Sequence, residues 1–147
     1  MPRVGDIYQL LTCNPKTINE NASQQEVIEA MLSGSPLARS VYAVDDAGHL
    51  KGIITLNNIM QGIAIQKGLA IRDIDFKSPF KLLRYTPFAL ARDIMGTPIY
   101  VTRDTKLQDA LEKMVSELIN ELPVVDGDGK IIGDLNAFEL LKFVEPV

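Results

Sequence analysis

With one histidine and one cysteine, this 147-residue chain has few places where side-chain chemistry could begin. Cys13 and His49 would make a nucleophile and its base only with a third group to orient the imidazole and donors for an oxyanion, and no such signature accompanies them. His49 has no second histidine or cysteine with which to hold zinc. Asp45 with Asp46, and Asp126 with Asp128, offer paired carboxylates for acid–base work. Each pair falls in a turn, where solvation is expected to leave the acids with ordinary pKa values. Asp126-Gly127-Asp128-Gly129 opens like a calcium loop, but Ile131 and Ala137 stand where that loop needs its glycine and its bidentate glutamate. Gly48, Gly52, Gly129 and Gly133 lack the spacing of a Rossmann or P-loop phosphate cradle. No catalytic constellation emerges, so the expected activity is binding rather than turnover.

The elements that would position a binding site repeat. Val44-Asp45-Asp46-Ala47-Gly48-His49-Leu50-Lys51-Gly52 aligns with Val125-Asp126-Gly127-Asp128-Gly129-Lys130-Ile131-Ile132-Gly133, an offset of 81 positions from Val44 to Val125. Apolar runs, Val41 to Val44 and Leu122 to Val125, precede an acid-and-glycine step, which predicts strand, tight turn, strand in each copy. A helix is predicted ahead of each hairpin. Its apolar stripe is Val27, Ile28, Met31 and Leu32 in the first copy, and Leu107, Ala110, Leu111, Met114, Val115 and Leu118 in the second. Ser23 with Glu26 and Thr105 with Gln108 fit a capping box at the two starts. Short extended pieces, Thr17 to Asn19 and Pro98 to Val101, come before these helices. Second helices beginning near Leu56 and Ala137 come after the hairpins, the first stopping at Gly68.

The unit is therefore β-α-β-β-α, and the fold class α/β (α+β). One such unit leaves its helical stripes undercovered, so the two copies are expected to pack with pseudo-two-fold symmetry as one compact module. Residues 1–68 form the first repeat, 69–90 a connecting segment and 91–147 the second repeat. The connector mixes Phe76, Phe80, Leu82, Leu83, Tyr85 and Phe88 with Arg72, Lys77, Lys81 and Arg84. It reads as a linker packed across the units in preference to a nucleic-acid strip, because the chain is acidic, with a net charge of −4. A single cysteine fits a reducing compartment, and neither an export signal nor a membrane span is readable, so the expected location is cytoplasmic.

The ordered series Asp93-Ile94-Met95, Thr97-Pro98-Ile99, Asp104-Thr105, Ala110-Leu111, Met114, Leu122 to Asp126 and Gly129 to Gly133 resembles the CBS domain family. The first copy matches from Val41 to Ile59, while Val4 to Lys16 lacks a clear methionine-and-proline lead. CBS domains occur in tandem pairs, and the resemblance implies a regulatory module that binds an adenosine compound (AMP, ADP, ATP or S-adenosylmethionine) in a cleft between the repeats, with no cofactor required. It places Thr55 at the hydroxyl position of the turn into the second helix and Asn58 where the family more often carries aspartate. In the second copy Asn136 and Glu139 hold those positions. Ile18 and Ile99 match positions lining the adenine pocket, and Arg39 could meet a phosphate.

Each of these residues also has a plain structural role. Thr55 and Asn136 are good helix caps, Ile18 and Ile99 good core residues, and Arg39 an ordinary surface charge. The implied partners are the adenosine-type ligand, a second copy of the chain in a homodimer, and a regulated protein that the sequence does not name. The other reading is a ligand-free dimerisation or protein-interaction module.

Overall fold

In the computed structural model the described residues are 2–9, 14–34, 40–68 and 89–143. The first repeat contains β1 (Thr17–Asn19), α2 (Gln24–Leu32), β2 (Val41–Val44), β3 (Leu50–Ile54) and α3 (Leu56–Gln66), preceded by a one-turn helix α1 (Val4–Ile7). The second contains α4 (Leu107–Glu117), β4 (Glu121–Val125), β5 (Ile131–Asn136) and α5 (Ala137–Leu141), preceded by a 3-10 turn at Ala91–Asp93. β1 runs parallel to β2, and β2 antiparallel to β3, giving the sheet order β1-β2-β3; β4 and β5 form an antiparallel pair.

Turn chemistry builds the two hairpins identically. Asp45 Oδ1 accepts from the N–H groups of Ala47 and His49 at 3.0 and 2.9 Å, and Asp126 Oδ1 from those of Asp128 and Lys130 at 2.9 and 3.0 Å. Gly48 and Gly129 follow at φ 89° and 82°, a left-handed conformation that costs glycine little. A register shift then lies at Ala43/Val44 in one hairpin and at Val124/Val125 in the other. The tips meet, with the Leu50 N–H donating to the Gly129 carbonyl at 3.1 Å.

Three expectations are corrected. Pro98 to Val101 does not become a strand: only Val101 bridges to Val124, because Pro98 brings no N–H and the Ile99 N–H turns back to the Thr97 carbonyl at 2.9 Å. Thr105 and Gln108 do not box the start of α4. The Thr105 hydroxyl instead accepts from the Thr102 N–H at 2.9 Å, closing a turn ahead of the helix, and Lys106 becomes the N-cap. The predicted stripes are also wider than the faces they bury. Val27, Met31, Ala110 and Met114 are buried, whereas Leu32, Leu111, Val115 and Leu118 are exposed. The Ser23–Glu26 box forms as expected.

Two cores result, and each borrows its cap from the other repeat. Val41, Ala43, Ile54 and Ile59 in the first core correspond, 81 positions on, to Leu122, Val124, Leu135 and Leu140 in the second. Val4 and Ile7 of α1 lie in the second core, while Ala91 and Ile94 of the 3-10 turn lie in the first. The backbone bonds that hold this exchange are reciprocal. The Val4, Gly5 and Gln9 N–H groups donate to the carbonyls of Thr105, Arg103 and Asp134 at 2.9, 2.8 and 3.0 Å. Those of Ala91, Arg92 and Gly96 donate to Ala22, Glu20 and Ile53 at 2.8, 2.8 and 2.7 Å. Ile7 and Ile94 are each fully buried, which stabilises the joined module by about 1.5–3 kcal/mol apiece. Neither repeat closes its core without the other.

Candidate functional site

Both turns singled out in the sequence are helix starts. At the first, Thr55 caps α3: its hydroxyl accepts from the Asn58 N–H at 3.1 Å, while Asn58 Oδ1 accepts from the Thr55 N–H at 2.9 Å. At the second, Asn136 caps α5, with Asn136 Oδ1 accepting from the Glu139 N–H at 2.8 Å and Glu139 Oε1 from the Asn136 N–H at 2.9 Å. The capping role therefore operates at all four positions.

The turns differ in access. Thr55 and Asn58 are half-buried with Leu56 and Asn57 exposed between them, whereas Asn136 is 1% and Glu139 0% exposed. α3 runs for 11 residues and leaves the Leu56 and Asn57 N–H groups of its first turn outside the capping box, while α5 has only five residues in all. Asn58 keeps its amide nitrogen as a donor beyond the box.

Ile18 and Ile99 are partly buried and belong to different sites. Ile18 packs against the core that holds Ile54 and Ile59, which flank the Thr55 turn. Ile99 packs against the core that holds Leu135 and Leu140, which flank the Asn136 turn. Ile99 also lines an open groove of about 510 Å³ with Tyr100, Thr102, Lys113 and Glu117, alongside α4. A second groove of about 680 Å³, lined by Arg3, Asp104, Lys106, Asp109 and Glu112, lies on the same helix. Neither groove includes Thr55, Asn58, Asn136 or Glu139. Arg39 and most of the connector, 69–88, lie outside the described residues.

The turn acids are not the ordinary carboxylates expected from the sequence. N–H donation from His49 holds Asp45 below the usual carboxylate range, and donation from Lys130 does the same for Asp126. His49 is also not a free surface group, since its Nδ1 lies 3.1 Å from Asp45 Oδ2. Such acids are poised to stay charged, which suits a turn and not a general acid. Among the described residues no group of three or more His, Cys, Asp or Glu side chains is arranged to hold a metal ion. No helix among them is long and apolar enough to cross a membrane.

Sequence reasoning missed a buried polar cluster between the repeats. Tyr42 on β2 faces Asp134 on β5, with Glu121 at the start of β4 and Glu139 on α5 beside them. Burial, then the Glu121 charge, pushes Asp134 up to about 9. Burial and the same acids push the Tyr42 phenol well above its ordinary value. The Tyr42 hydroxyl and both Asp134 carboxyl oxygens lie near enough to influence one another without meeting hydrogen-bond geometry, and Asn136 Nδ2 is likewise without an acceptor. The available signal was the register: Glu121 and Asp134 lie on strands whose other residues are almost all apolar.

Comparison with known proteins agrees with the duplicated architecture. The model of the CBS domain matches residues 4–65 and again 91–146. The uncharacterized protein MK0525 of Methanopyrus kandleri is 30% identical over 123 residues, which cover 79% of this chain and 58% of that protein, so the chain spans less than two thirds of its relative's length. Among solved structures, a CBS domain-containing protein from Thermotoga maritima superposes with a TM-score of 0.75 at 30% identity, covering 95% of this chain and 91% of the other. CBSX2, solved in complex with AMP, gives a TM-score of 0.71 at 23% identity over 97% and 95% of the two chains. Two matched segments, two interlocked cores and reciprocal bonds across the repeats together place this chain in the CBS domain family, as a tandem pair.

Proposed function

We propose that this CBS pair is a cytoplasmic regulatory module that senses an adenosine nucleotide at the turn into α3, one ligand per chain. The observation that carries the reading is the difference in access between the two turns: Thr55 and Asn58 are half-buried with Leu56 and Asn57 exposed between them, and Asn136 and Glu139 are sealed. The amides at the start of α3 receive a phosphate. Asn58 Nδ2 donates to a ribose hydroxyl, Ile18 flanks the adenine, and Arg39 supplies a counter-charge. Support from outside the chain comes from CBSX2, a protein of the same fold solved with AMP. Affinity that differs between two arrangements of the repeats would pass the signal to a partner protein.

The module works as a homodimer. Leu56 and Met60 on α3 and Phe138 and Leu141 on α5 are exposed large apolar side chains, Met60 and Leu141 at corresponding places in the two repeats. A surface of this kind favours association with a second copy. Sedimentation should give twice the chain mass, and Met60→Glu should return it to one.

Calorimetric titration with AMP, ADP, ATP and S-adenosylmethionine tests the sensor. Thr55→Ala and Asn58→Ala should each weaken binding by roughly tenfold, about 1.4 kcal/mol, which is the scale of one hydrogen bond. Asn136→Ala should leave the affinity unchanged. Absence of binding at millimolar ligand would favour the other reading, a ligand-free interaction module, in which the Thr55–Asn58 box does nothing beyond capping α3.

A further inference from the structure

We propose that residues 4–9 form a releasable strap: this segment opens from the second repeat as a unit, while the reciprocal segment, residues 91–96, stays closed and serves as the hinge between the repeats. The inference goes beyond nucleotide sensing and does not depend on it.

The two segments are one device used twice. At an offset of 87 positions Val4, Gly5, Asp6, Ile7, Tyr8 and Gln9 correspond to Ala91, Arg92, Asp93, Ile94, Met95 and Gly96. Each lays a buried isoleucine, Ile7 or Ile94, in the core of the other repeat. Apolar burial alone would favour the first segment, because Val4 and Ala91 are both fully buried and valine is the larger.

The backbone reverses that order. Among the described residues, the second segment is tied across the repeats by N–H donation from Gln24 to Ala89, Ala91 to Ala22, Arg92 to Glu20 and Gly96 to Ile53, and Ile53 donates back to Gly96 at 3.3 Å. The first keeps only the bonds of Val4, Gly5 and Gln9 to Thr105, Arg103 and Asp134, with no return bond from Asp134 to Gln9. Its side-chain ties lie at the surface, where Arg3 Nη1 donates to the Asp104 carbonyl at 2.6 Å and the Arg103 guanidinium sits over the Tyr8 ring at 5.8 Å. Closure also carries strain. Gln9 stands at φ 58°, in the left-handed region that a residue with a Cβ enters at a cost, and its Oε1 is buried without a partner. Gly96, at the matching position, lies outside that region and has no side chain to satisfy.

A segment held by fewer bonds, with strain and an orphan oxygen relieved on release, belongs to the low-stability end of the local openings that a fold allows. Opening withdraws Val4 and Ile7 from Leu122, Val124, Leu135 and Leu140 and frees the Asp134 carbonyl on β5. The repeats remain joined through residues 91–96, so a closed and an open arrangement are available to the same chain. Such a pair of states is what any relay of a binding event requires.

Amide hydrogen exchange of the full chain, followed by NMR, tests this. The Val4, Gly5 and Gln9 amides should be at least about tenfold less protected than those of Ala91, Arg92 and Gly96. Their exchange should also be nearly insensitive to low urea, while that of the second set rises with it. Equal protection, or the reverse order, overturns the proposal without requiring any variant to fold. Gly52→Ala crowds Met95 and Gly96 of the second segment, so it should lower protection at Ala91, Arg92 and Gly96 and leave the first set unchanged. A fall of the same size in both sets would show that the segments open only with the whole fold. Gln9→Gly removes the left-handed strain and the orphan oxygen, and should raise protection at Val4 and Gly5 by about threefold; no rise would refute the strained closure on which the release rests.

Discussion

Gly52 and Gly133 are where the exchanged segments pass closest to the sheets, and Gly52→Ala tests the exchange at one atom. A Cβ at Gly52 would stand 2.7 Å from Met95 Cγ, 2.8 Å from Met95 Cβ and 2.8 Å from the Gly96 carbonyl oxygen. Backbone torsion is not the issue, since Gly52 is not in the left-handed region. Nor can a side-chain rotation relieve it, because the Gly96 oxygen is fixed by the mutual bonds between Ile53 and Gly96, at 3.3 and 2.7 Å. Overpacking of this kind costs about 1–3 kcal/mol, and lengthening the two bonds adds about 1 kcal/mol more. The expected loss is about 3 kcal/mol, or roughly 6–12 °C in Tm for a domain of this size. At Gly133 the added atom meets the Tyr8 ring and the end of the Gln9 side chain, both of which can rotate, so Gly133→Ala should cost about half as much. Gly127→Ala is the control, because nothing lies within 4 Å of its added atom and the effect should stay within about 0.5 kcal/mol. Urea midpoints of the three variants decide the matter. If Gly52→Ala is as mild as Gly127→Ala, the segment after the 3-10 turn does not cross β3 at this distance and the interlocked cores are wrong.

Leu118 ends α4 at φ 55° with its side chain 91% exposed, so Leu118→Gly relieves a left-handed residue at little loss of burial and should raise stability by about 0.5–1 kcal/mol in denaturant titration. Asp45 and Asp126 are held below the ordinary 3.8 by donation from the His49 and Lys130 N–H groups. Their contribution is therefore present above pH 3.8 and lost as pH falls through the lower folded values. Asp126→Asn should make the acid limb of the Tm profile shallower, and an unchanged limb would refute that assignment.

Local chemistry explains which parts of this fold were readable from the sequence. The hairpins follow from an acid that accepts two N–H bonds and a glycine that turns left, and both signals lie within five residues of each other. The helix starts at Leu56 and Ala137 follow from Thr55 and Asn136 in the same way. The crossing of α1 into the second core was not readable, because it rests on bonds such as Val4 to Thr105 across a hundred positions. One local trace of it existed. Asp6-Ile7 repeats as Asp93-Ile94, with each aspartate accepting from N–H groups ahead of it and each isoleucine buried. This pair carries the repeat without a methionine and a proline in the first copy. The Thr105 cap failed because Thr102 offered its N–H to the same hydroxyl, a competition that spacing alone does not resolve. Glu121 and Asp134 read as the polar members of a hairpin until Tyr42 of the other repeat covers them.

The same register shows why two copies of one unit diverge where they face each other. The ladder pair Tyr42 and Ile53 in the first repeat corresponds to Pro123 and Asp134 in the second. Ser40, Thr55 and Asn58 correspond, at the same offset of 81, to Glu121, Asn136 and Glu139. Every acid of the buried cluster therefore stands where the first repeat has a neutral residue. Positions that shape the scaffold, such as Ile54 and Leu135 or Gly52 and Gly133, remain alike. A phosphate approaching the start of α5 would meet a cluster of buried acids, Glu139, Asp134 and Glu121, and any carboxylate charged there opposes it in a low-dielectric setting. At the start of α3 the corresponding residues Ser40, Ile53 and Asn58 are neutral, and the Leu56 and Asn57 amides lie outside the capping box. Charge alone separates the two helix starts: the first repeat has neutral residues at the positions where the second has acids. A chain carrying Asp134→Asn and Glu139→Asn together would leave Glu121 as the one acid of this cluster. If a second AMP then binds per chain, charge was the barrier; if stoichiometry stays at one, the short α5 and the sealed turn exclude the ligand by themselves.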